Sequence, residues 1–342
     1  MIKNMWREYL DHAYRVYKQL GVRILFKILF FSILSKIARV SLSALNRINQ
    51  PKLRQGNVIK EILGSKMNLD LNDPGISRQL LVDGIREAIS VETFQRELKE
   101  GDCVVDIGAN IGYYTLLEAR LVGGSGRVYA IEPDPDNVKL LKKNIELNAF
   151  SNIEVFELAI SNTQAIVPLY KSIQSNWHSL TDYSRERVKF NAGEVLDVQA
   201  TTLDEFLRDK VYPRAIRMDV EGHEYEIFKG MENTLQKKLP LLIFIELHLD
   251  LLRKQKSAEI LETLKRTGFH IADAAIEERI SGLNKHKLLS NMYHSMRAVI
   301  ERELHRLPSG QHLNLSIDDL LSDPATLDGS NYFCMNICFK RG

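Results

Sequence analysis

From about residue 100 to its C-terminus the chain alternates short apolar runs with longer stretches whose apolar side chains recur every three or four positions. The runs Cys103–Ile107, Arg127–Ile131, Ile153–Phe156, Ala215–Val220, Leu241–Leu247, Phe269–Ala274 and Tyr332–Phe339 predict strands. Tyr113–Leu121, Asp136–Asn148, Glu224–Lys237 and Asp250–Thr267 predict the helices between them. Strands that are apolar along their length and separated by helices imply a mostly parallel sheet covered on both faces. No short crossover joins the last two runs, and the stretch 277–330 predicts a largely helical insertion. Earlier, residues 46–75 are polar and carry Pro51, Gly56, Gly64, Pro74 and Gly75, so 51–79 reads as a linker with some short structure. A helical pattern from about residue 76 leads into Gly101, and the α/β domain is expected over residues 80–342.

Residues 14–45 follow a different pattern. They are mostly apolar, but Arg23, Lys27, Lys36 and Arg39 interrupt them. The longest uncharged stretch, Ile28 to Ser35, is far short of the roughly 20 residues that cross a bilayer. Recurring charges and the lack of a clean cleavage site fit a signal peptide poorly. The pattern predicts a basic amphipathic helical extension over residues 1–50. It either lies in a membrane surface, with Lys27 and Lys36 reaching the headgroups, or packs on protein.

Charge changes this picture. Residues 1–55 hold eleven Lys and Arg against Glu8 and Asp11, a charge of +9, which leaves −7 for the rest of a chain whose net charge is +2. Basic residues beside anionic lipid contribute about 1 kcal/mol each. An acidic body excludes general nucleic-acid binding, which needs a basic face on the domain itself. Cys103, Cys334 and Cys338 fall in apolar runs with no CxxC pair. They read as small buried thiols of a reducing compartment. The expected location is cytoplasmic, at most peripheral on the inner face of a membrane.

The strongest chemical signal is Val104-Val105-Asp106-Ile107-Gly108-Ala109-Asn110-Ile111-Gly112-Tyr113. A buried strand ends in an acid, and a Gly-x-Asn-x-Gly turn then opens a helix at the edge where open α/β sheets bind nucleotides. A dinucleotide fingerprint would want glycine at 110 and 113, where this chain has Asn110 and Tyr113. A nucleoside bearing an amino acid needs no phosphate cradle. Its ammonium suits Asp106 or the turn carbonyls, and its carboxylate suits the turn N–H groups. Glu132 ends the next strand and suits a ribose diol. Glu157 follows the third strand, beside the adenine or simply exposed. The run Ile216–Glu224 brings Asp219, Glu221 and His223 to the same edge, and Glu246 and His248 share one face at the end of the following strand. His223 and His248 come from separate strands, with no HExxH or close HxH spacing, so no metal is expected. Glu246 and His248 read as a structural hydrogen-bond network or as a functional pair. Trp177 and His178 read as a surface loop or as part of an acceptor pocket.

Together these stretches resemble the FkbM family of methyltransferases. The matching pieces are Val104–Tyr114, Val128–Asn137, Ala159–Asn162, Thr201–Leu207, Ile216–Met231 and Leu241–His248, in the family's order. The resemblance implies a class I, Rossmann-like methyltransferase fold with a seven-stranded, mostly parallel sheet whose final strand is antiparallel. It implies S-adenosylmethionine held by Asp106, Gly108, Asn110, Gly112 and Glu132. Glu157 and Asp219 complete the expected contacts. It also implies O-methylation, often of sugars or secondary metabolites, so the expected acceptor is a glycan or another small molecule; the basic N-terminus adds a lipid-linked sugar to the candidates. His223 is the expected base, with Asp219 orienting and Glu221 or His248 as alternatives. The competing readings are a nicotinamide-dependent oxidoreductase, which Asn110 counts against, and a non-catalytic, membrane-tethered binder of the same cofactor. The oligomeric state stays open.

Overall fold

In the computed structural model the chain divides into two compact units, residues 53–277 with 310–342 and residues 1–52 with 278–309. The structure describes residues 56–183, 191–276, 309–329 and 334–342, with scattered positions between 27 and 41 and between 293 and 307. Most of the N-terminal extension and the first part of the 277–330 insertion therefore lie outside the described residues, as does most of the expected membrane-contacting stretch 14–45. Among the described residues no helix is long and apolar enough to cross a membrane.

The larger unit begins with β1 (Asn57–Ile62) and β2 (Ser65–Asp70), an antiparallel hairpin inside the stretch read as a linker. Its signal was weak in sequence because the two-residue turn is Leu63-Gly64, not Asn-Gly; both residues take positive φ, 49° and 77°. α1 (Ile76–Asp83) and α2 (Ala88–Glu97) follow. Next come β3 (Cys103–Ile107), α3 (Tyr113–Val122), β4 (Arg127–Ile131), α4 (Pro135–Asn148) and β5 (Ile153–Phe156). α4 starts sharply because Asp134 caps the N–H groups of Asp136 and Asn137 and Pro135 opens the first turn. Asn144 and Asn148 on α4 accept from the β2 N–H groups of Asn68 and Lys66, at 2.6 and 2.7 Å, which ties the hairpin to the domain.

A small sheet follows that the apolar pattern did not reveal: β6 (Ala159–Ser161), β7 (Ala165–Ser172) and β8 (Asn191–Thr202), in the order β6-β8-β7. Much of β7 and β8 is exposed, so these strands lack the buried signature of the main sheet. The chain then runs through α5 (Leu203–Phe206), β9 (Ala215–Met218), α6 (Glu224–Lys229), α7 (Glu232–Gln236), β10 (Leu241–Leu247), α8 (Leu249–Arg266) and β11 (His270–Ala275). It ends with β12 (His312–Leu313), α9 (Ile317–Leu321), α10 (Pro324–Leu327) and β13 (Met335–Arg341). The helix expected over 224–237 is two helices. They break at Gly230, where a Cβ would lie 2.0 Å from the Ser161 carbonyl oxygen.

The main sheet has the order β12-β11-β13-β10-β9-β3-β4-β5. β3 pairs in parallel with β4 and β9, β9 with β10, and β4 with β5, while β13 lies antiparallel between β10 and β11. This is the expected class I sheet, with the final strand inserted antiparallel. The two-residue β12 adds an eighth strand from the insertion, pairing Ala274 with Leu313 and Ala275 with His312. Every residue of β3 and β10 is buried, which is why both read as continuous apolar runs. Each fully buried Val, Leu or Ile contributes about 1.5–3 kcal/mol, so the centre of this sheet is a rigid base for the loops at its carboxyl edge.

Candidate active site

The site is built from the loops that leave the carboxyl ends of β3, β4 and β9. After β3, Gly108 takes φ 81°, Asn110 φ 50° and Gly112 φ 96°. A Cβ on Gly108 would lie 2.1 Å from the Asp219 carbonyl oxygen, and one on Gly112 would lie 2.7 Å from Leu141 Cδ1. Both glycines therefore permit close approach of protein to protein: Gly108 to the loop after β9, Gly112 to α4. The N–H groups of Gly108 and Ala109 donate to the Ile131 carbonyl at 2.9 and 3.0 Å, and this fixes the turn to the end of β4.

Glu132 sits beneath that turn. Its Oε2 accepts the Asn110 N–H at 2.8 Å, and its Oε1 accepts the Asp134 N–H at 3.0 Å and the Asn137 side-chain amide at 3.4 Å. Burial pushes its carboxyl up to about 7, against the pull of those donors. Asn110 and Asn137 also donate their side-chain amides to the Ser175 carbonyl, at 2.8 and 3.1 Å. The segment 172–183 is thus strapped over the turn. Ser179 Oγ donates to the Glu221 carbonyl at 2.9 Å, and the Tyr183 hydroxyl donates to the Gly222 carbonyl at 3.1 Å.

Asp106 is fully buried and does not line the cleft. Its two oxygens accept from Thr115 Oγ1 at 2.6 Å and from Arg217 at 3.0 Å. Arg217, on β9, also donates to the Gly108 carbonyl at 3.0 Å and to Asp219 Oδ2 at 2.9 Å, and its guanidinium lies 4.4 Å from the centre of the Tyr114 ring. One cation therefore joins the end of β3, the glycine turn and the end of β9. Asp106, expected from the sequence to meet the cofactor, is instead committed to Thr115 and Arg217, whereas Asp219 lines the cleft and keeps its Oδ1 buried without a partner. The sequence signal for Arg217 was an arginine inside an otherwise apolar strand, costly to bury without paired acids.

The cleft and the open solvent at its mouth together amount to about 820 Å³. Leu158, Ala159 and Ile160 form an apolar wall beside Gly108, Asn110 and Glu132, and Arg86 joins Asp219 at its rim. Glu157 is exposed and outside the lining, as in the alternative reading of a simply exposed acid, and its neighbour Leu158 lines the cleft. Side chains alternate across a strand exit, and the wall took the apolar neighbour. Residues 106–271 match the family described as the Methyltransferase FkbM domain.

The chain carries an FkbM methyltransferase domain. The S-adenosylmethionine cofactor and the class I fold expected from the sequence stand with it. The chain is 28% identical over 154 residues to the hexuronic acid methyltransferase AglP of Haloferax volcanii, a match that covers 44% of this chain and 58% of that protein. It is 36% identical over 59 residues to a protein-L-isoaspartate O-methyltransferase of Methanothrix thermoacetophila, covering 17% of this chain and 28% of that one. It thus spans less than two thirds of the length of these relatives. Among solved structures it is similar to M. jannaschii TYW2 in complex with AdoMet, at 16% identity and a TM-score of 0.37, over 65% of this chain and 77% of that one.

Within the FkbM domain the other expected residues separate into two groups. His223 lines the cleft with its Nε2 2.9 Å from Ser161 Oγ and its Nδ1 3.5 Å from Thr181 Oγ1. Burial pushes it down to about 4, so it is neutral at ordinary pH. Asp219 does not orient it; that carboxylate is committed to Arg217. His178 lines the cleft while Trp177 does not, and His178 Nδ1 accepts the Ser172 N–H at 3.0 Å.

The second group surrounds His248, which is 2% exposed. Glu224 Oε1 lies 2.6 Å from its Nδ1, Glu221 Oε2 lies 3.2 Å from its Nε2, and Glu246 Oε1 lies 3.6 Å from the same nitrogen. Burial pulls the imidazolium down, but Glu221 and Glu224 outweigh it and hold it well above its ordinary value. Glu246 and His248 do share one face, as the alternation of β10 implies. Glu224 was not singled out in the sequence; it opens a helix, a position that acids take for dipole reasons alone.

Proposed function

We propose that this protein transfers the methyl group of S-adenosylmethionine to a hydroxyl oxygen of a glycan or related polyhydroxylated small molecule. One observation supports the placement of the cofactor: a cleft inside the FkbM domain whose lining includes two buried, unpartnered oxygens, Asn110 Oδ1 and Asp219 Oδ1. Polar atoms are rarely buried in this way unless a ligand completes them. Asp219 suits an ammonium, Glu132 suits a ribose diol, and the wall of Leu158, Ala159 and Ile160 suits a purine face. Asp106 acts at one remove, by fixing Arg217. The hexuronic acid specificity in the name of the Haloferax relative supports a sugar acceptor.

When bound, the cofactor supplies a methyl carbon already activated by its sulfonium. The residues of the chain then have to align an acceptor hydroxyl with that carbon and exclude water. The strap from Ser175 to Tyr183 closes one side of the cleft. Bound there, the cofactor would supply the methyl carbon to the acceptor oxygen, with the S–C electron pair staying on sulfur, and the chain's own residues would have to accept the hydroxyl proton. Neutral His223, paired with Ser161 at the cleft wall, is the proton acceptor in this reading, a weak one whose role is to take a proton as it is released.

Incubation of the full chain with S-adenosylmethionine and a panel of neutral sugars and uronic acids tests the reaction. New O-methyl resonances in the product spectrum are expected, and methylation at nitrogen or carbon instead would overturn the acceptor class. Calorimetry tests the site: Glu132→Ala should weaken S-adenosylhomocysteine binding by about tenfold or more, the loss of charge-assisted hydrogen bonds worth roughly 1.5–3 kcal/mol. Unchanged affinity would remove Glu132 from the ribose site.

The pH dependence has a defined sign. Ribose hydroxyls donate to the ionised carboxylate, so binding draws the Glu132 pKa down from about 7 and releases protons. Affinity for S-adenosylhomocysteine should therefore fall as pH is lowered from about 8 to about 6, approaching tenfold per unit below the pKa. Glu132→Gln should flatten the profile and abolish the proton release seen in buffers of different ionisation enthalpy.

A further inference from the structure

We propose that Asp219, Glu221 and His248 bind a divalent cation of the Mg²⁺/Mn²⁺ class at the wall of the cleft, where it seats hydroxyl oxygens of the acceptor. One ligand atom from each residue falls in a group whose members all lie within 4.8 Å of one another. That spacing suits a single ion with bonds of about 2.0–2.6 Å. Asp219 and Glu221 line the cleft, so an ion held there is open to a bound acceptor on one side.

A cluster of acids alone would not carry this. The second observation is His248. It is 98% withdrawn from solvent, at 2% exposure, and its Nε2 makes no hydrogen bond although Glu221 Oε2 is 3.2 Å away. Its other nitrogen is fixed by Glu224 at 2.6 Å. With Nδ1–H given to a carboxylate, a cation at Nε2 would take the place of the proton that the surrounding acids otherwise favour there, in the ring orientation common to metal-binding imidazoles. Asp219 shows the same division of labour: Oδ2 accepts from Arg217 at 2.9 Å, while Oδ1 is buried without a partner. Glu221 reaches the group from a left-handed backbone, φ 50°, that a non-glycine residue adopts only where its surroundings enforce it. Ser179 and Tyr183 bind the carbonyls of Glu221 and Gly222 and hold that conformation.

Two carboxylates and one imidazole form a donor set that Mn²⁺ satisfies, with the remaining positions left to water or acceptor oxygens. The sequence argued against a metal because it has no HExxH or close HxH spacing and its histidines come from separate strands; the three ligands gather because they follow the ends of β9 and β10, which are neighbours in the sheet. The seating of the acceptor rests on the methyl-transfer reading, whereas the binding of the ion does not.

The test is titration of the full chain with Mn²⁺, followed by the loss of the free-ion signal in electron paramagnetic resonance. One Mn²⁺ per chain is expected, with affinity lowered about tenfold or more in each of Asp219→Asn, Glu221→Gln and His248→Gln, the size of loss seen when metal-site residues are altered. Circular dichroism and S-adenosylhomocysteine affinity, measured without metal, report folding and the cofactor site; Asp219→Asn is expected to weaken the cofactor as well, so Glu221→Gln and His248→Gln separate the ion site from it. If His248→Gln does not fold, Glu221→Gln carries the comparison. Wild-type protein that binds no stoichiometric Mn²⁺, or folded variants that bind it as the wild type does, would overturn the ion site even where the cofactor still binds.

Discussion

Arg217→Met should destabilise the protein by about 3–5 kcal/mol, the cost of removing one partner from a buried charge pair. The side chain is 9% exposed and its partner Asp106 is fully buried. Arg217 bonds Asp106, Asp219 and the Gly108 carbonyl at once, so its loss strands one buried carboxylate and releases two loops of the cleft. Methionine fills much of the volume beside Tyr114 but donates nothing. The urea midpoint should fall, and S-adenosylhomocysteine affinity should fall with it. Adding Asp106→Asn should recover part of the stability, because an amide can still accept from Thr115 without carrying a charge. A single variant within about 0.5 kcal/mol of wild type, as for ordinary surface changes, would show that the ion pairs do not hold the loops together.

Gly108→Ala should be nearly as severe, and more so for the cofactor than for the fold. The new Cβ would meet a backbone atom, the Asp219 carbonyl oxygen, at 2.1 Å, at a residue whose φ of 81° already disfavours any side chain. Backbone cannot rotate away as a side chain can. Strain of this kind costs about 1–3 kcal/mol, and relief requires the β3 turn and the β9 loop to move apart. The cleft lies between them, so S-adenosylhomocysteine affinity should drop about a hundredfold, since misplaced binding groups by an ångström have effects of that order. Gly124→Ala is the matched control: its Cβ would meet nothing within 4 Å, and binding should be unchanged. Equal affinities for the two variants would show that the contact between turn and loop is not needed for binding.

Several features could be read directly because each left a local pattern. β3 and β10 are buried along their whole length, so an unbroken apolar run marked them and set the main sheet. The turn at Gly108–Gly112 and the acid at Glu132 stand at strand ends, where composition changes abruptly. Other features left no such mark. The hairpin β1–β2 buries mainly one face against α4 and turns through Leu63, a residue with no turn preference. β7 and β8 expose half of their residues and bury few, so their ladders are held by backbone hydrogen bonds that composition does not record. The break at Gly230 reflects a carbonyl of β6, far away in sequence.

The assignments of individual side chains divide in the same way. Sequence by itself determined the class of sheet, the edge at which ligands collect and the set of acids and histidines that gather there, because strand period and strand ends are properties of neighbouring residues. Only the tertiary structure decided which of those groups meet. It committed Asp106 to Arg217, left Glu157 in solvent, separated His223 from Asp219, and set Glu221 and Glu224 around His248. Such pairings depend on loop conformations and on strands brought side by side across the sheet. Electrostatic and hydrogen-bond energies change steeply over an ångström or two, a scale that spacing along the chain does not encode.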